Sequence, residues 1–135
     1  MDIDATHTKV CAYLGANSDC AKSLFIGKSW LGKVLAELGT DNPYPVANDI
    51  KSIPPTQEVA DVNLYQFNLL GDLEKVNELR KVIGLISDEV ASLDFKESVI
   101  IKNARMLAIA KTQSYVHLAE ARFELGKKLS SLRNN

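Results

Sequence analysis

Apolar residues return every three or four positions along most of this chain, and that period predicts helices. Leu73, Val76, Leu79, Ile83, Ile86, Val90 and Leu93 trace one seam that begins just after Asp72, whose charge suits the first turn of a helix. After a break at Asp94 and Phe95 a longer seam runs through Ile100, Ala104, Leu107, Lys111, Ser114, Leu118, Ala121, Leu125 and Leu132. The stretch from Lys102 to Leu132 has no proline, Gly126 is its only glycine, and good helix formers dominate it. A second apolar line, Ile109, Val116 and Phe123, runs beside the seam, so this helix is expected to be packed on two sides. The two helices are joined by a short connection and are expected to return on each other as an antiparallel hairpin. Lys111 and Ser114 interrupt the seam where a core helix calls for leucine, and the interruption has no evident use in the fold.

The N-terminal half predicts a helical pair. Ile3, His7, Val10, Cys11 and Leu14 share a face, with Asp2 or Asp4 as the cap and Gly15 as the left-handed stop. Asn17, Ser18 and Asp19 offer a new N-cap for a helix running to about Leu38, with Cys20, Leu24, Gly27, Leu31, Val34, Leu35 and Leu38 on its seam. Gly27 lies on that seam, where a missing side chain admits close helix contact. Residues 40–56 hold all four prolines and predict a connection; a helix at 57–70 follows. The expected fold is therefore all-α: an antiparallel helical hairpin or bundle over residues 57–135, with an additional helical pair over 1–39, as separate units or as one compact domain.

Composition narrows the functions. Net charge is -1, from 16 basic and 17 acidic residues, and no basic stripe is visible, which argues against a polymeric nucleic acid as partner. No apolar run approaches ~18 residues, and the acidic start MDIDATHTKV is not a signal peptide, so neither a membrane partner nor export is expected and a cytoplasmic location is. The two cysteines, Cys11 and Cys20, fall on apolar positions and are expected to be reduced, packed thiols. No phosphate loop, dinucleotide fingerprint, zinc motif or nucleophile elbow occurs, so neither catalysis, nor a metal, nor a cofactor is expected.

The polar interruption from Lys111 to His117 is the place where a ligand is expected. A lysine supplies charge for a phosphate, Thr112 a short hydrogen bond, and Tyr115 a face for stacking on a base. Arg105 and Arg122 lie on the same helix and can bind a phosphate bidentately. The plainer alternative is that Lys111 lays its stem along apolar surface with its charge in water. His117, with Glu120 and Glu124 nearby, and Trp30, off its seam, read as interface or core-edge residues.

Two segments, AIAKT from Ala108 to Thr112 and EARFELGKKL from Glu120 to Leu129, resemble a family of small phage proteins: the helical-hairpin domain of the anti-CBASS and anti-Thoeris sponges. SWLGKVLAELGTDNPYP, from Ser29 to Pro45, is similar to the helix ending and proline-rich exit of such proteins. Glu124 stands where the family has tryptophan, and the N-terminal half is an addition. The resemblance implies a homo-oligomeric, non-enzymatic protein of the host cytoplasm that sequesters a cyclic nucleotide signal between subunits. It implies roles for Tyr13, Lys111 and Thr112 in holding the ligand. The alternative is an all-α structural or protein-interaction module with no small ligand.

Overall fold

The computed structural model describes residues 3–38, 64–92 and 104–134. Four helices account for most of them: α1 (Ile3–Leu14), α2 (Asp19–Leu38), α3 (Asp72–Ser92) and α4 (Ala104–Arg133). A short helical turn at 64–68 precedes α3, and no strand occurs among the described residues. The chain is all-α, as its period predicts. The expected connection at 40–56, the helix over 57–63, and the seam positions Leu93 and Ile100 lie outside the described residues.

Local chemistry sets the helix ends. Gly15 takes a φ of 96°, and its N–H closes on the Cys11 carbonyl at 2.9 Å. A residue with a Cβ is strained there, so glycine ends α1 cheaply. Ser18 caps α2: its Oγ accepts from the Ala21 N–H at 3.2 Å. Asp4 lies within α1 and forms an ion pair with Lys28 of α2. Asp72 and Glu74 place negative charge in the first turn of α3, where the helix dipole favours it.

The helices close a ring. Among the described elements, α4 packs on α2 and on α3, while α1 packs on the same two helices from the far side. Directions follow from which residues meet. Cys20 reaches Ala121 and Gly27 reaches Ser114, so α2 and α4 run oppositely. Arg80 meets Arg122 and Ala91 meets Lys111, so α3 and α4 are also antiparallel. Asp4 pairs with Lys28 and His7 lies against Phe25, while Lys9 pairs with Glu78 and Lys75 lies over the Tyr13 ring, so α1 runs opposite to both neighbours. Every adjacent pair is antiparallel, and the expected C-terminal hairpin is present.

The core runs down the ring's axis. Leu24 and Val34 of α2, Val76, Ile83 and Val90 of α3, and Leu118 and Leu125 of α4 are fully buried. Burial of each such side chain stabilises by about 1.5–3 kcal/mol. The expected seams are these faces, with two differences. Leu73 is 45% exposed, because at about 100° per residue it falls at the edge of the face that Val76, Ile83 and Val90 define. Thr6, left out of the expected α1 face, is buried instead.

The polar interruption in α4 serves the fold. Ser114 is fully buried, and its hydroxyl donates to the Gly27 carbonyl at 3.1 Å. A Cβ on Gly27 would sit 3.4 Å from Leu118 Cγ, so glycine lets the two backbones approach closely. There is no room at 114 for the leucine that the seam calls for. Lys111 reaches the Ala91 carbonyl at 3.4 Å, where a cation is favoured at the C-terminal end of α3.

Candidate functional site

The six residues expected to hold a ligand do not converge on one place. Thr112 turns back on its own helix, donating to the Ala108 carbonyl at 2.9 Å. Lys111 is engaged at the end of α3, and Arg105 is exposed at the start of α4. Tyr13 lies near the other end of the bundle. Its ring has Lys75 Nζ at 5.3 Å and Lys128 Nζ at 6.0 Å. Burial, and then the Asp72 carboxylate beside it, raise the Tyr13 hydroxyl above its ordinary range. Its oxygen is enclosed, and Asp72 is the acidic group that acts on it.

Tyr115 and Arg122 do come together, in a groove of about 320 Å³ between α3 and α4. The antiparallel register gives that groove two unlike ends. Arg80, Arg122 and Phe123 form one, and Ser87, Asp88 and Tyr115 the other. Gly84 and Ala119 make a floor of small residues. The rings are open to solvent, Tyr115 at 48% and Phe123 at 65%. Lys127 Nζ stands 5.5 Å from the Phe123 ring and 3.0 Å from Glu124 Oε2, so its charge is paired within α4.

The arginines are held in place. Arg122 Nε donates to the Arg80 carbonyl at 3.3 Å, which fixes the fork and leaves its terminal N–H groups available. The Arg80 guanidinium lies over Gly126, where an added Cβ would stand 3.8 Å from Nη2. Arg80 Nε is enclosed and finds no acceptor among the described residues. The two guanidiniums put positive charge at this end of the groove, which favours an anion.

Sequence reasoning missed Arg80, Ser87 and Asp88. One signal was present: Gly84 and Gly126 lie inside helices, far from either end, where glycine marks a close approach rather than a cap. His7 and Cys11, four residues apart on α1, bring Nε2 within 3.5 Å of Sγ. His7 pairs with no acid among the described residues, so the arrangement lacks the orienting group of a nucleophilic triad. No group of three or more His, Cys, Asp or Glu among the described residues is placed to hold a metal ion.

No helix among the described residues is long and apolar enough to cross a membrane. The chain matches no family model, no curated protein and no solved structure.

Proposed function

We propose that this chain binds an anionic, aromatic small molecule of the cyclic-nucleotide class in the α3–α4 groove and holds it without turnover. The observation that carries the proposal is the pair of anchored guanidiniums beside two exposed rings. A phosphate fits the Arg80–Arg122 end, where charge-assisted and bidentate hydrogen bonds are strongest. A base fits against Tyr115, with Asp88 and Ser87 able to accept from its amino and imino groups. The groove volume lies at the low end for small-molecule sites, so it takes one base and its phosphate and leaves the rest of a larger ligand outside.

The resemblance supplies the biological reading: an anti-defence sponge acting in the host cytoplasm. Tight binding without conversion requires no catalytic group, and the groove contains no paired nucleophile and base. Titration calorimetry with cyclic di- and trinucleotides and with cyclic ADP-ribose isomers tests it. At least one of them should bind the wild type and lose about tenfold or more in affinity in Arg80→Gln and in Arg122→Gln, each checked for an unchanged fold. No heat with any of them at millimolar concentration would remove the proposal. The second reading, a protein-interaction module, draws on the apolar ridge that α4 presents to solvent.

A further inference from the structure

We infer that α4 pairs with α4 of a second copy, antiparallel, across the outer ridge Ile109–Val116–Phe123. The ridge alone carries the inference, and it shares Tyr115, Ala119, Arg122 and Phe123 with the groove. This second apolar line points to a partner, yet all three residues remain open: 42%, 41% and 65% exposed. They recur every seven residues. The positions between them on the same face, Thr112, Ala119 and Gly126, are small. A seven-residue alternation of this kind is what a helix presents to a second, supercoiling helix.

Size and charge choose both the occupant and its direction. Laid antiparallel on itself, the ridge sets each large residue opposite a small one. Val116 meets Ala119 of the second copy and Phe123 meets Thr112, while Gly126, opposite Ile109, lies under the Arg80 guanidinium of its own chain. A parallel pair would stack large on large and leave small facing small, with a void at each layer. The flanking residues agree. A parallel pair brings Arg122 beside Lys127 of the second copy, like charges in a partly dry seam. The antiparallel pair brings Arg122 onto the Tyr115 ring and Glu120 beside Gln113, a cation–π contact and a hydrogen bond. Such an arrangement is two-fold symmetric and therefore closes at two copies.

The seam is short, about 25 Å from Ile109 to Gly126 at 1.5 Å per residue, and about one helix wide. A contact this narrow falls short of the ~800 Å² per partner of a standard stable interface, so the dimer belongs to the weak class whose population depends on concentration.

Sedimentation equilibrium from about 1 to about 500 μM should show the mass rising from 14.9 kDa toward twice that value. Val116→Glu with Ala119→Glu sets like charges opposite each other in the antiparallel pair and should keep the protein monomeric, its helical circular dichroism unchanged because both positions are exposed. Direction is read from a nitroxide on Arg105→Cys in a Cys11→Ser background. Cys20 is buried and its thiol is pushed up to about 12, so it stays unlabelled. Spin–spin distances should centre near about 37 Å along the axis for the antiparallel pair, against about 10 Å for a parallel one. A mass fixed at 14.9 kDa, a dimer that survives the double substitution, or a short label distance overturns the inference.

Discussion

Ser114→Leu separates two accounts of the interruption in α4. By the period alone, serine occupies a leucine position, and leucine should add about 2 kcal/mol of burial. The structure gives the opposite sign. Ser114 Oγ lies 3.1 Å from the Gly27 carbonyl, and a Cβ on Gly27 would already touch Leu118. A leucine must push α2 and α4 apart and loosen neighbours such as Leu24 and Leu31. Overpacking of this kind costs about 1–3 kcal/mol, and more where backbone rather than side chain stands in the way. Loss of the hydroxyl bond adds about 1 kcal/mol. With leucine's burial only partly realised, the net is about 2 kcal/mol destabilising, or a fall of about 8 °C in Tm for a chain of this size. Ser114→Ala removes the bond without crowding and should cost only about 1 kcal/mol. Urea unfolding of the three proteins measures the order: wild type, then alanine, then leucine. Ser114→Leu as stable as Ser114→Ala would refute the close-contact argument.

Lys111→Met should cost about 0.5–1 kcal/mol, through the lost contact at the end of α3, while leaving groove binding unchanged in the same calorimetry; a tenfold loss of affinity would return Lys111 to the binding site. Burial of Cys20 raises its thiol from 9.0 to about 12, so above pH 9 the unfolded chain gives up a proton that the folded chain keeps. Its contribution to stability is intact below pH 9 and falls as pH rises beyond it, by up to about 1.4 kcal/mol per pH unit. Urea midpoints from about pH 8 to about pH 11 should therefore decline more steeply in the wild type than in Cys20→Ala.

The faces of α2, α3 and α4 were legible because burial of a helix face is written locally, one turn at a time. Val76, Ile83 and Leu118 needed no knowledge of their partners, and Gly15 and Ser18 announced their ends. Gly27 was legible as a place of close approach. Ser114 was not, since its meaning lies in a carbonyl 87 residues away. The candidate site was half legible. Tyr115 and Arg122 share a helix, and one helix can be read. Arg80 and Asp88 belong to the site only because α3 lies antiparallel at a particular register, which the period leaves open. Lys111 was singled out because it broke a pattern, and a lysine at the end of a neighbouring helix breaks it in the same way.

The ring order of the helices also sets a clock. The partner that covers α2 is α4, and the Cys20–Ala121 contact spans 101 residues. At about 5–20 residues per second, α2 is complete for roughly 5–20 s before α4 has been made. Through that interval Leu24, Leu31 and Val34 lack the surface that later buries them, and α1 covers only one end of them. Helix formation takes about a microsecond, so waiting for α4, rather than coiling, governs when the bundle closes during synthesis. A chaperone that holds short amphipathic helices would find its best target in the N-terminal pair while the rest of the chain is still being made.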